Sequence, residues 1–135
     1  MRLVLALVLL AVLAMPHRTV AVDDTELINQ LVEGSPWKGE NIGSRGLGSV
    51  TYDVTFSKDS SGGLTGVVSN YSIPAFASIA NGPIKVPSVK NGVLEFETNR
   101  GSYELRPSPD GKWTGAALSL DRTFGATVTL TPAAK

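Results

Sequence analysis

The sequence predicts a mainly β fold, a small antiparallel meander barrel or rolled sandwich of about seven or eight strands with one short N-terminal helix. Three patterns predict it. Apolar and polar residues alternate through much of residues 48–131, which is typical of strands with one buried face. Turn sequences interrupt this alternation every 8 to 14 residues. A single short segment has helical periodicity instead.

The first 21 residues are predicted to be a signal peptide. An arginine precedes an unbroken apolar run at residues 3–15, and Thr19 and Ala21 suit the −3 and −1 positions of signal peptidase. Thirteen apolar residues are too few for a bilayer core that needs about 20; a retained membrane anchor is the alternative, as is cleavage after Ala14. Cleavage after Ala21 predicts a secreted or periplasmic product.

Removal of residues 1–21 leaves a single β-rich domain at residues 22–135, with ten basic and twelve acidic side chains. A net charge near −2 without a basic stripe argues against nucleic acid as a partner. No polybasic patch is present for anionic lipid, so no membrane association is expected after cleavage. The chain has no cysteine, so its core alone must stabilise it.

The helical segment covers about residues 24–33. Asp23, Asp24 and Thr25 supply oxygens and negative charge at its start, and Gly34 ends it. Four apolar residues share one face, which must pack against the sheet: Leu27, Ile28, Leu31 and Val32.

The strands follow from the alternation and from the turns between them. Asn91-Gly92 predicts a hairpin, because both positions tolerate a positive φ. About seven strands are predicted, near residues 50–56, 64–71, 84–90, 93–98, 103–105, 113–120 and 124–131. The side chains predicted to point inward are Val50, Tyr52, Val54, Phe56, Leu94, Phe96, Tyr103, Leu105, Val128 and Leu130, with Phe124 and Ala126 on the last strand.

Trp37 followed by Gly39, the short hairpin strands, and Leu64-Thr65-Gly66 after a glycine-rich turn resemble the calycin group of small up-and-down barrels, which includes lipocalins and avidins. The resemblance is one of pattern and covers most of residues 36–131. It implies a lipocalin-like barrel with a central pocket. Lipocalins place a glycine two residues before their signature tryptophan, whereas Gly34 stands three before Trp37, so no family binding residue is carried over.

Catalytic residue types are scarce. The only histidine, His17, lies in the predicted signal peptide, so the remaining domain has no histidine or cysteine for a catalytic triad, a cysteine nucleophile or a histidine-based zinc site. Asp59 and Asp110 lie in turns that lack the spacing of a calcium loop. No catalytic residue, metal ligand or cofactor is therefore predicted.

Paired carboxylates are a possible exception. A two-residue turn at Asn99-Arg100 places Glu104 opposite Glu95, with Glu97 and Arg106 nearby. Two facing carboxylates are the machinery of glycosidases. The alternative, which we prefer, is a solvated outer face on which Arg106 relieves their repulsion, because the intervening residues are apolar.

Four aromatic residues are predicted to contact a ligand: Trp37, Tyr71, Phe76 and Trp113. Aromatic faces stack on sugars or line apolar pockets, although both indoles would serve equally in the core. Tyr71 and Phe76 belong to residues 71–83, an apolar, uncharged segment broken by Pro74. That segment is interpreted either as a lid over a barrel mouth or as a short helix or irregular strand that plugs the core.

The predicted function is that of a small exported binding domain without enzyme activity, which holds a small apolar ligand in the barrel. A structural or protein-interaction module is the alternative, because the inward side chains are large enough to fill such a barrel. A carboxylate-based enzyme is the third hypothesis. The expected partner is therefore a small apolar ligand or another protein.

Overall fold

The computed structural model describes residues 23–43 and 48–134, and the predicted signal peptide lies outside this part of the chain. The described residues form two helices and nine strands. The helices are α1 (Asp24–Glu33) and α2 (Pro74–Ala80). The strands are β1 (Trp37–Gly43), β2 (Ser49–Lys58), β3 (Leu64–Ser69), β4 (Gly82–Pro83), β5 (Lys85–Lys90), β6 (Val93–Glu97), β7 (Gly101–Pro107), β8 (Trp113–Ser119) and β9 (Gly125–Thr131).

All nine strands belong to one antiparallel sheet in the order β4-β3-β2-β1-β9-β8-β7-β6-β5. The edge strands β4 and β5 are consecutive in the chain and are separated only by Ile84. The N–H of Ile84 donates to the carbonyl of Gly66 in β3 over 2.9 Å. The sheet therefore curls into a nearly closed barrel, which leaves little strand edge exposed.

The predicted mainly β, barrel-like fold is confirmed, but the predicted counts of seven or eight strands and one helix are wrong. The inner face of β1 carries Trp37, Gly39 and Asn41, a series without apolar alternation. The two residues of β4 are too few for any alternation to be visible. The second helix begins at Pro74, because the fixed φ of proline suits the first turn of a helix.

Helix α1 forms at the predicted residues. The Asp23 carboxylate caps it by accepting the N–H of Thr25 over 3.0 Å, and Gly34 ends it. Leu27 and Leu31 are its buried residues. The apolar stripe therefore covers one end of the barrel.

Side chains fill the barrel interior. Val50 and Tyr103, two of the ten residues predicted to point inward from the strands, are only half-buried. The prediction for Phe124 is wrong: it is 54% exposed, because the turn before β9 extends through it and strand pairing starts at Gly125. The other eight predicted residues are buried: Tyr52, Val54, Phe56, Leu94, Phe96, Leu105, Val128 and Leu130.

Candidate functional site

The two ends of the barrel differ in how completely they are sealed. The end covered by α1, which we call the closed end, buries Leu31, Trp37 and Trp113 in the main apolar core. The two indoles are 2% and 1% exposed. The indole N–H of Trp37 donates to the carbonyl of Leu31 over 2.7 Å, so this polar atom is satisfied within the chain.

The opposite end, which we call the mouth, is where β1 and β8 end and where β2, β7 and β9 begin. It contains a cavity of about 180 Å³. The side chains that matter for its chemistry are Asn41, Val50, Tyr71, Arg100, Tyr103 and Ala126.

Three polar side chains form the floor of the mouth, and we call them the floor network. The hydroxyl of Tyr52 donates to Oδ1 of Asn41 over 2.5 Å, and Nδ2 of Asn41 donates to the hydroxyl oxygen of Tyr103 over 2.9 Å. The hydroxyl of Tyr103 also interacts with that of Tyr52, and it donates to no other group in the hydrogen bonds of the described residues. A ligand acceptor at the base of the cavity would therefore compete only with a neutral hydroxyl for this proton.

Both tyrosines of the floor network remain neutral at physiological pH. Burial, together with the electrostatic effect of Tyr103, raises the pKa of Tyr52 well above its usual value. Burial also raises the pKa of Tyr103, against the opposing effect of its hydrogen bond to Asn41. Both hydroxyls can therefore donate hydrogen bonds, but neither is poised as a base or a nucleophile.

Arg100 and helix α2 flank the mouth. Arg100 lies in the turn between β6 and β7, and its guanidinium carbon is 4.4 Å from the ring centroid of Phe76 in α2. The neighbouring side chain of Asn99 donates to the carbonyl of Ile79 over 3.2 Å. These two contacts hold α2 beside the 98–101 turn.

A shallow groove runs outward from the mouth between α2 and the β8–β9 hairpin. This rim groove has a volume of about 450 Å³. Its apolar members are Ile79, Leu120 and Phe124, and all three are exposed. Its charged members are Arg100 and Asp121, so Arg100 lines both the rim groove and the mouth.

The four aromatic residues predicted to contact a ligand lie in two separate places. Trp37 and Trp113 are in the core of the closed end. Tyr71 lines the mouth, and its ring stacks on that of Tyr52 with centroids 6.4 Å apart. Phe76 is beside the mouth beneath Arg100. Their role as ligand contacts stays a prediction: Tyr71 and Phe76 are close to the mouth, and Trp37 and Trp113 line a cavity of about 500 Å³ at the closed end.

Residues 71–83 contain a short helix. A short helix was one of the two structures considered for a segment that plugs the core. Only Ala80 of α2 is buried, whereas Phe76 is 39% and Ile79 47% exposed. The helix therefore flanks the mouth and does not fill the core.

Sequence reasoning missed Asn41 and Arg100 as site residues and treated Tyr103 as a core residue. Asn41 lies on a strand that the alternation did not reveal, and Arg100 lies in a turn. The sequence did contain one indication of a polar residue in the interior, because the hydroxyl of an inward tyrosine needs a hydrogen-bond partner. Tyr52 and Tyr103 together thus required a polar residue on a facing strand.

The paired carboxylates lie on the outside of the sheet. Glu95 pairs with Glu104 in the register that the sequence predicts, and both are exposed. Arg106 forms a salt bridge of 3.0 Å with Glu104. The solvated-face interpretation matches this arrangement.

The turn carboxylates cap their own turns. Oδ1 of Asp59 accepts the N–H groups of Ser61 and Gly63 over 2.9 and 2.8 Å, and Oδ1 of Asp110 accepts that of Lys112 over 3.0 Å. Among the described residues, no three acidic, histidine or cysteine side chains form a group that could hold a metal ion. Within the same residues, no helix is long and apolar enough to span a lipid bilayer.

Comparison with known proteins found no matching family model, no matching curated protein and no matching solved structure. The likeness to calycins therefore stays a resemblance of pattern.

Proposed function

We propose that the domain is a non-catalytic binding protein that takes a small, partly apolar ligand at the mouth. One observation carries the proposal: a cavity of about 180 Å³ at this end combines apolar walls with the hydrogen-bonding groups of the floor network. Ligand pockets typically pair apolar walls with a few placed polar groups, in volumes of about 300–1,000 Å³. The ligand is therefore small, or part of it extends into the rim groove.

A fragment screen by ligand-observed NMR tests this proposal. Ala126 is half-buried in the wall of the mouth, and its neighbour Thr127 is exposed on the outer face of β9. We expect wild-type protein to bind fragments, Ala126→Phe to lose them by filling the cavity, and the control Thr127→Phe to retain them. Binding by wild-type protein that survives Ala126→Phe, or no binding at all, contradicts the proposal.

A second candidate is a protein-interaction module, and the exposed apolar side chains beside the mouth favour it. Ile79, Leu120 and Phe124 line the rim groove, and Leu118 lies next to them on β8. Such patches often mark protein contacts. Light scattering after size exclusion tests self-association: an assembly that Leu120→Asp dissociates, while Val86→Asp on another surface does not, favours this candidate.

We also infer that the domain is exported and acts in the periplasm or outside the cell. The support is the arrangement of charge, apolar run and small residues in positions 1–21. The intact mass of the product recovered outside the cytoplasm should correspond to a chain beginning at Val22. A product found only in the cytoplasm, or one that retains residues 1–14, contradicts the inference, whereas a chain beginning at Met15 indicates cleavage after Ala14.

A further inference from the structure

We propose that the ligand of the mouth is an amphipathic anion, whose charged group lies against Arg100 and the hydroxyl of Tyr103 and whose apolar body lies along the mouth and the rim groove. The inference rests on the proposed function and names the class of ligand for the same site. It follows from three properties of the described side chains: unused donors, uncompensated charge and apolar surface.

The floor network presents donors to the cavity. Tyr52 uses its one proton on Oδ1 of Asn41, and Asn41 uses one of its two N–H groups on the oxygen of Tyr103. Among the described residues, the second N–H of Asn41 remains for a ligand, and the proton of Tyr103 is shared only with the neutral hydroxyl of Tyr52. A ligand group that only accepts hydrogen bonds, such as a carboxylate or a phosphate, is therefore complementary to this floor.

The charged side chain at the mouth also favours an anionic ligand. Arg100 is the only charged side chain among the described residues that line the cavity. The salt bridges found among the described residues join Lys38 to Asp53 and Arg106 to Glu104, and Arg100 is in neither. Its guanidinium is packed on the ring of Phe76, which orients it without neutralising its charge.

Asp121 is the one acid among the described residues that line the rim groove, and one of its two carboxylate oxygens is already hydrogen-bonded. Asp121 lines the rim groove with Arg100, but its Oδ1 accepts hydrogen bonds from the hydroxyls of Ser119 and Thr123 over 2.7 and 2.6 Å. The carboxylate therefore serves its own hairpin. An incoming anion can pair with Arg100, and such charge-assisted bonds are about twice as strong as neutral ones.

The apolar part of the ligand has two adjoining surfaces. Val50, Tyr71 and Ala126 line the mouth, and Leu120 and Phe124 continue the apolar surface along the rim groove. A chain of moderate length with one charged end satisfies both surfaces. A wholly apolar molecule leaves the donors of the floor unpaired, which opposes its binding.

Isothermal titration calorimetry with three eight-carbon probes tests the inference. The probes are octanoate, octyl phosphate and octanol, which share one apolar chain and differ in the head group. We expect at least one anion to bind ten-fold or more tightly than octanol. The stronger of the two anions identifies the head group as carboxylate or phosphate.

Two substitutions locate the head group. Arg100→Gln should weaken the anion ten-fold or more and leave octanol within two-fold, whereas the control Arg106→Gln, on the outer face of β7, should change neither. Tyr103→Phe keeps the ring that stacks on Phe96 at 4.6 Å and removes the hydroxyl, which is both a donor for the ligand and the acceptor of Nδ2 of Asn41, so it should weaken the anion by a smaller factor.

The outcomes separate this inference from the proposed function. If octanol binds as tightly as both anions, or if Arg100→Gln weakens all three probes equally, the anion inference is wrong. Fragment binding that Ala126→Phe abolishes would still support a binding site at the mouth. If the fragments do not bind either, the proposed function fails as well.

Discussion

The closed end and the mouth of the barrel both contain aromatic and polar side chains, but these differ in burial and hydrogen bonding between the two ends. At the closed end, the indole N–H of Trp37 is paired with a carbonyl of α1, and the aromatic rings are buried. At the mouth, Arg100 is in neither of the salt bridges found among the described residues, and Phe124 is exposed. The closed end therefore buries its aromatic rings in the core, whereas the mouth exposes aromatic and polar side chains to solvent.

A long-range contact strengthens the closed end. The two carboxylate oxygens of Asp24 accept the N–H groups of Asn91 and Gly92, each over 3.0 Å. These residues form the turn between β5 and β6, so the start of α1 is tied directly to the sheet. Helix α2 at the mouth has contacts of a different kind, a side-chain bond to one carbonyl and a stacked arginine.

The largest expected effect contrasts one aromatic residue from each end. Trp37→Ala should lower the free energy of unfolding by about 3–5 kcal/mol, because it leaves a cavity in the core. Phe124→Ala should change it by no more than about 0.5 kcal/mol, because the side chain is already exposed. Urea denaturation of both variants measures the difference. Equal losses would show that the mouth is as well packed as the closed end.

A smaller effect is expected when the two hydrogen bonds between α1 and the β5–β6 turn are removed. Asp24→Ala should cost about 1–2 kcal/mol, because it removes two hydrogen bonds to a partly exposed carboxylate. Glu26→Ala, in the same helical turn but exposed, is the control and should have little effect. The midpoints of urea denaturation measure both; a loss no larger than that of the control would mean that the helix is held by its apolar face alone.

The smallest effect concerns the hairpin beside the mouth and is measured as the dependence of stability on pH in acid. The hydrogen bond from Thr123, with further bonds from Ser119 and the backbone, lowers the pKa of Asp121 to about 2. Because the folded pKa is below the unfolded value, this stabilisation is complete above about pH 4 and is lost as the pH falls towards 2. Asp121→Asn should therefore flatten the dependence of Tm on pH between 4 and 2. Parallel curves for variant and wild-type protein would contradict this.

Local patterns predicted part of the molecule well. Helix α1 forms at its predicted residues, and Glu95 faces Glu104 in the predicted register. Each depends on interactions between residues close in the chain, namely a capped apolar stripe and a two-residue turn. Such interactions are visible in the sequence because neighbours alone decide them.

Strand β1 was missed for a reason that lies in the tertiary structure. A Cβ atom at Gly39 would be 2.2 Å from the ring of Tyr52, so glycine is needed where that ring crosses β1. The same crossing brings the hydroxyl of Tyr52 to Asn41. Glycine and asparagine interrupt the apolar alternation, so the strand that carries the site has the weakest strand pattern.

By itself, the sequence determined three features of this chain. It forms a sheet with one apolar face, most of its turns have predictable positions, and an identifiable helix covers the apolar face. The sequence's period of two and its turn residues act over a few positions, and burial of the apolar face supplies the driving force. Only the tertiary structure decided that β1 pairs with β9, that β4 and β5 bring the edges together, and that the floor network assembles at the mouth. Asn41 and Tyr103 are 62 residues apart, and contact over that separation depends on strand pairing across the whole sheet.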